Sequence, residues 1–205
     1  MANLKGILTA AGLAGTAGYV NAVADLGLHA FVAPMTGTVI LVGFALADAN
    51  LAEAARGALM VMSFLAGVTV ARLLRRFGHG PAPCWALSAI LLGGSAFRAL
   101  EGLPALIPIA CAVGCLNGSE TKFGTTTLNT TFITGNLERL GEALADTSFQ
   151  NRGAQATLIG AILLAYVGGA TSGAIAAHRV AHPLLLPAGA LMLAALLAWH
   201  RQRDA

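Results

Sequence analysis

The sequence predicts an all-α membrane protein with about six full transmembrane helices, two broken or re-entrant helical elements and an internal, inverted repeat. Three observations predict this fold: scarce charge, long uncharged windows, and short motifs that recur in both halves of the chain. We expect a single membrane domain, 1–205, whose repeat halves cover about 1–101 and 102–205.

The composition is that of a membrane protein. Of the 205 residues, 57% are apolar and 10% are charged, whereas about a quarter are charged in soluble domains. So few charges cannot cover a soluble surface, so an ordinary soluble domain is excluded. The net charge of +3 comes from basic residues that flank apolar runs, without interleaved exposed aromatics. The expected partner is therefore the lipid bilayer, and nucleic acid is excluded.

Uncharged windows predict the spans. Windows without Asp, Glu, Lys or Arg cover 6–24, 26–47, 57–71, 77–97, 102–119, 123–137, 153–178 and 180–200. Most approach the roughly 20 residues that a spanning helix needs. The window 123–137 differs because it is rich in Thr and continues into an amphipathic run, where Leu137, Leu140 and Leu144 lie opposite charges. Such a segment must be covered by protein or line a wet cavity.

Three pairs of short motifs indicate a duplication. Residues 18–21 resemble 114–117, residues 35–38 resemble 133–136, and residues 64–69 resemble 166–171. The order is kept, with offsets of 96, 98 and 102 residues. Matches in order at nearly constant offset are typical of an internal repeat.

The number of spans depends on the segments at Thr36 and Thr134. If both cross the membrane, the chain has eight spans and its halves point the same way. If both are re-entrant, it has six spans and the second half is inverted.

The positive-inside rule favours six spans with both termini cytoplasmic. The inner side then holds Lys5, Arg72, Arg75, Arg76, Lys122, Arg139, Arg152, Arg201 and Arg203. Only Arg56, Arg98 and Arg179 lie outside. The eight-span alternative that keeps the 72–76 cluster inside leaves seven of the twelve basic residues outside. We therefore expect a multi-pass protein of the cell inner membrane.

The candidate site lies at the two broken elements. Thr36 and Thr134 are acceptable N-caps, and each precedes a glycine and a helical run that begins near Gly37 or Gly135. Such half-helix ends bind anions or polar groups near the midplane, although a helix break that only shapes packing is the alternative. The predicted ligand-binding residues are Asn21, Thr36, Gly37, Thr38, Asn117, Thr134, Gly135 and Asn136.

Other polar and small residues have two interpretations each. Asn21 and Asn117 either bind solute or hydrogen-bond across helices. Asp25 and Glu120 either carry a proton or cation or are interfacial charges. The pairs Gly67/Ala71 and Gly169/Gly173 permit close helix packing between the repeats, with a homodimer as the competing use.

The 18–21 start, the 31–38 block and the later Thr-Gly-Asn at 134–136 resemble the YoaK-type family of small bacterial membrane proteins. That family is filed as a domain of unknown function, so the resemblance implies fold and compartment rather than chemistry. Its pattern carries Asp at the position of Asn21 and Asn at that of Thr38. This difference implies a different ligand, or none, for the present chain.

Three functions compete. The first is a channel or secondary carrier for a small polar or anionic solute, with its site between the repeats. The second is a non-transporting membrane scaffold or binding protein. An enzyme ranks last because the sequence lacks a nucleophile–base pair, a metal-ligand cluster and a nucleotide loop, so we expect no metal and no cofactor.

Overall fold

The computed structural model describes residues 4–97, 103–119, 122–123, 126–127, 133–145 and 149–203. The helices are α1 Leu4–Leu28, α2 Met35–Ala47, α3 Leu51–Arg76, α4 Ala82–Phe97, α5 Leu103–Gly118, α6 Ile133–Ala145, α7 Phe149–Arg179 and α8 Leu185–Arg203. Two strands of two residues each, β1 Lys122–Phe123 and β2 Thr126–Thr127, pair antiparallel. Turns and short irregular segments connect the helices of the described chain, and the predominance of helix agrees with the predicted all-α class.

Three stretches of helix in the described residues are long and apolar enough to cross a membrane: Gly6–Leu28, Leu51–Arg76 and Ala156–Arg179. The shorter apolar helices are Met35–Ala47, Ala82–Ala96 and Leu103–Gly118.

The uncharged window 26–47 is not a single helix. α1 passes through Asp25 and ends at Leu28, and α2 begins only at Met35. α2 has 13 residues, which is about 20 Å of helix, shorter than the roughly 30 Å of a bilayer's hydrocarbon. The prediction that this segment is a broken element therefore agrees with its length.

Large aliphatic and aromatic side chains lie on the outside of the fold. Phe44, Leu164 and Val167 are each more than 60% exposed. The buried positions are instead rich in alanine, with buried hydroxyls such as that of Ser88. Exposed bulk around a small-residue interior is the distribution expected where lipid covers the helices.

α1 and α7 form one of the two closest helix pairs. Gly18 lies directly against the main-chain carbonyl of Tyr166, and Gly169 lies against that of Gly15. A methyl group at either glycine would overlap the facing backbone. Ala10 and Ala14 pack with Leu158 and Ile162, and further along both helices Tyr19 lies against Gly173, so α1 and α7 run parallel.

α3 and α5 form the second close pair. Gly114 lies against the carbonyl of Phe64, and Gly67 against that of Cys111. Gly118 lies against Val68 and Ala71, which is about one turn further along both helices than the contact between Gly114 and Phe64, so these two helices are also parallel. Small residues allow this approach in both pairs.

The remaining helices show how the two pairs are oriented. In the first half of α1, Leu13 lies beside Trp85 of α4 and Ala194 of α8. At its other end, α1 lies beside Ala96 of α4, the start of α5 and Leu184 at the start of α8. α1 therefore runs parallel to α4 and antiparallel to α8. α5 runs opposite to α4, because Cys84 meets Cys115 and Ser88 meets Ala112, so α5 is also antiparallel to α1. Since α3 is parallel to α5, it also runs opposite to α1.

Candidate functional site

The chain turns back into the protein after α1. His29, at the turn, has a positive φ of 49°, and its N–H donates to the carbonyl of Asp25 at 2.9 Å. Asn21 Oδ1 then accepts the N–H groups of Val32 and Ala33, both at 3.1 Å. Asn21 lies about two helical turns, or roughly 10 Å, before the end of α1. The segment after α1 therefore re-enters the fold to the depth of Asn21.

α2 starts at this depth. Pro34 is its N-cap, with φ −81°, and no side chain caps the helix. The hydroxyl of Thr38 donates to the carbonyl of Phe31 at 3.1 Å and is buried. From this start α2 runs back out and packs against α3, with Val42 beside Gly57. α2 and α3 therefore form a helical hairpin, and α2 begins inside the protein.

The predicted start of this helix is wrong by two residues. α2 begins at Met35, so Thr36 lies within its first turn and is not the N-cap. Pro34 takes the cap because its fixed φ suits a helix start and it has no N–H to satisfy. Thr36 is exposed, and a side chain at Gly37 would meet no atom within 4 Å. The first turn of α2 is thus accessible.

The second element has a related layout. α6 also begins two residues earlier than predicted, at Ile133, so Thr134 is again in the first turn. Thr134 is exposed, Gly135 is half-buried and Asn136 is fully buried. Asn136 and Thr38 are therefore both buried at the fourth position of their helices. Among the other predicted residues, Asn117 is half-buried near the end of α5, and Glu120 lies outside the described residues.

The predicted site residues fall into two groups, one in the first half of the chain around α2 and one in the second half around α6. Asn21 and Thr38 meet around residues 31–33, and both bond to main-chain groups of that turn. α6 packs against α7, and α2 packs against α3. Within the described parts of the chain, no comparable packing joins α2 to α6. That Thr36 and Thr134 share one site stays a prediction.

Sequence reasoning missed the role of Arg56. Its Nη2 donates to the carbonyl of Leu28 at 2.7 Å, and its Nη1 lies 3.3 Å from Glu53 Oε1. Arg56 thus satisfies a main-chain acceptor at the end of α1. The Glu53–Arg56 spacing of three residues indicates the pairing of these two side chains on one helix face, but not the contact with Leu28.

A small cavity lies between the turn, α2 and α3. Its volume is about 30 Å³, and Phe31, Thr38, Arg56 and Met60 are among the residues that line it. That volume holds about one water molecule. Asp25, the predicted ion or proton group, is half-buried and does not line this cavity.

The predicted small-residue pairs are used within the chain. Gly67 contacts α5, and Ala71 contacts Gly118 of the same helix. Gly169 and Gly173 contact α1. Packing between the halves thus covers all four residues.

One of the comparisons with known proteins identifies a family, and it gives no activity. No curated protein and no solved structure matches the chain. The model of one family, described as a protein of unknown function (DUF1275), matches residues 9–197. That match begins within α1 and ends within α8, so the chain belongs to the DUF1275 family of uncharacterised proteins.

Proposed function

We propose that this chain is a multi-pass inner-membrane protein that conducts or carries a small polar or anionic solute. In this proposal six helices span the membrane, both termini are cytoplasmic, and α2 and α6 are re-entrant half-helices. The chain is not an enzyme and needs no cofactor. The narrower YoaK-type assignment, with its bacterial source, belongs to the same proposal.

The helix directions support six spans. α1, α4 and α7 run one way, and α3, α5 and α8 run the other way. Six spans with short α2 and α6 produce this alternation in chain order. Eight spans would instead make α1 and α4 antiparallel, because two crossings would then lie between them. The excess of basic residues at the end that carries Arg75, Arg76 and Arg201 favours that end as cytoplasmic.

Reciprocal contacts support an inverted repeat. The motif offset of 96 residues relates Gly18 to Gly114, and the offset of 102 relates Phe64 to Tyr166. Gly18 meets the carbonyl of Tyr166, and Gly114 meets that of Phe64. A twofold axis that relates the two halves would convert the first of these contacts into the second. Because α1 and α5 run in opposite directions, the axis would lie in the membrane plane.

The re-entrant start of α2, held on Asn21, is the observation that carries the transport proposal. Helix N-termini bear partial positive charge and unsatisfied amides, and they bind polar or anionic groups when buried near the midplane. The first turn of α2 has no capping side chain and leaves Thr36 exposed. The N–H groups of Met35 and Gly37 already donate to the carbonyls of Ala33 and Pro34, so the partial positive charge of the helix end and the Thr36 hydroxyl are what attracts a solute. A solute oxygen can therefore reach this helix start, with Asn117, Thr134, Gly135 and Asn136 forming the corresponding end in the second half.

Reconstitution tests the proposal directly. Purified protein in proteoliposomes should produce solute-dependent swelling or uptake for at least one member of a panel of small neutral polar and anionic solutes. Protein-free liposomes provide the control. Flux at the level of the control for the whole panel would contradict the proposal.

One observation favours the second candidate, a non-transporting scaffold or binding protein. Asn21 and Thr38 already bond to the main chain of their own turn, and the cavity beside them holds about one water. Under this alternative the half-helices only shape packing. Absence of flux together with a stable, folded protein would select the scaffold.

A further inference from the structure

We propose that the groove between α1 and α8 binds one anionic phospholipid of the cytoplasmic leaflet. The inference goes beyond the solute site, from which it is separate. It rests on the membrane orientation proposed above but not on transport.

The groove lies along the first half of α1 and the second half of α8. Its volume is about 470 Å³, which falls within the range of ligand sites. Leu13 and Leu191 form part of its apolar wall, Trp85 of α4 lines it, and Arg201 lies at one end. Trp85 is only 6% exposed.

An asymmetry between the two halves leaves this groove open. At the corresponding place in the other half, α4 packs closely on α5. There Ser88 donates to the carbonyl of Ala112 at 3.0 Å, and Cys115 Sγ donates to that of Cys84 at 3.5 Å. α8 instead lines the groove with Ala190, Ala194 and Ala198. These short side chains do not fill the space between α8 and α1.

The dimensions fit one leaflet. From Leu191 to Arg201, α8 rises about 15 Å. This is half of the roughly 30 Å hydrocarbon thickness of a bilayer. An acyl chain of one leaflet can therefore lie along the groove, from the midplane to the interface.

Charge selects the headgroup. Arg201 is exposed at the end of the groove, and Arg75 lies at the same end of the molecule, beside Gln202. Guanidinium groups bind phosphate oxygens in charge-assisted hydrogen bonds. Anionic lipids are concentrated in the cytoplasmic leaflet, the side to which the proposed topology assigns Arg201. An anionic headgroup would bind Arg201 at the charged end of the groove, and its acyl chain would lie along the apolar wall beside Trp85.

Tryptophan fluorescence tests the proposal because the chain has only two tryptophans, Trp85 and Trp199. Trp199→Phe leaves Trp85 as the sole reporter, and Trp85→Phe leaves Trp199, which is 46% exposed. Both variants are placed in nanodiscs that contain a minor fraction of lipid brominated in its acyl chains. The brominated lipid is either phosphatidylglycerol or phosphatidylcholine.

We expect brominated phosphatidylglycerol to quench Trp85 more strongly than brominated phosphatidylcholine at the same mole fraction. Arg201→Gln should lower this preference about fivefold, the effect of one interfacial cation. Arg76→Gln removes the same charge from α3 and should leave the preference unchanged. Gly12→Leu fills the groove and should protect Trp85, whereas Gly168→Leu, at an open position on α7, should not.

Four outcomes would overturn the lipid site. The first two are equal quenching of Trp85 by the two lipids and quenching of Trp85 that Gly12→Leu does not change. The third is quenching of Trp199 without quenching of Trp85. The fourth is a protection of Trp85 from quenching that increases with the protein-to-lipid ratio. The last result would assign the groove to a second copy of the chain. If neither tryptophan is quenched, the protein is not inserted, and the proposed membrane topology fails together with the lipid site.

Discussion

The side-chain oxygen of Asn21 accepts the main-chain N–H of Ala33 at 3.1 Å. This bond joins the middle of α1 to the residue that precedes Pro34, the cap of α2. It explains how a chain segment without regular structure lies deep in an apolar fold, since its amides must find acceptors there. From the sequence, Asn21 is either a solute ligand or an amide that hydrogen-bonds within the protein. The structure shows that it makes a hydrogen bond within the protein.

Replacement of Asn21 tests this bond. Asn21→Ala should lower the free energy of unfolding in detergent by about 1–3 kcal/mol, because buried N–H groups lose their acceptor. Asn21→Asp retains a side-chain oxygen and should retain more of the stability than alanine does. Chemical denaturation followed by circular dichroism provides the measurement. An Asn21→Ala protein as stable as the wild type would show that the turn does not depend on this side chain.

The glycines at the two close helix pairs provide a second prediction. Gly18→Ala and Gly114→Ala should each destabilise the protein by about 1–3 kcal/mol, since the added methyl overlaps a facing carbonyl. Gly12→Ala and Gly94→Ala are matched controls in the same or a neighbouring helix, with no atom within 4 Å of the new methyl. The controls should be neutral or stabilising by up to about 1 kcal/mol. Equal thermal stability of all four variants would contradict the close approach.

The threonines of the half-helices provide the third prediction. Thr36→Val and Thr134→Val should lower solute flux in proteoliposomes several-fold while insertion and melting temperature are kept, because each change removes a hydroxyl and nearly preserves volume. Thr69→Val and Thr171→Val are matched controls, because these exposed hydroxyls bond only to their own helices, at Leu65 and Val167. If the controls lower flux as much as the half-helix variants do, the site is not at the half-helices.

Topology is the subject of the fourth prediction. In a background with Cys84, Cys111 and Cys115 replaced by alanine, single cysteines at 76 and 203 should react only with reagents that reach the cytoplasm. Single cysteines at 48 and 180 should react from outside the cell. Labelling of 203 and 76 from opposite sides would support eight spans, because a crossing by α6 would make five spans instead of four between these two positions.

Some features of the site were accessible from the sequence because they depend on local chemistry. The Pro34 and Thr-Gly signals indicated a break between α1 and α2, and the break is present. Its boundary was displaced by two residues because cap preference alone does not decide between Pro34 and Thr36. The Arg56–Leu28 contact joins residues of different helices, so no local pattern contained it.

The sequence by itself determined the helical class, the apolar character that fits a membrane and the position of the break between α1 and α2. Each of these follows from local composition and periodicity, which act over a few residues. Only the tertiary structure decided that α1 pairs with α7 and α3 with α5, that Asn21 holds the turn, and that a groove opens beside α8. The helix pairs depend on which backbones meet at a glycine, and contacts such as that of Gly18 with Tyr166, about 150 residues apart in the chain, leave no periodic trace in the sequence. The Asn21 bond and the groove depend on how separate segments pack, which local composition does not encode.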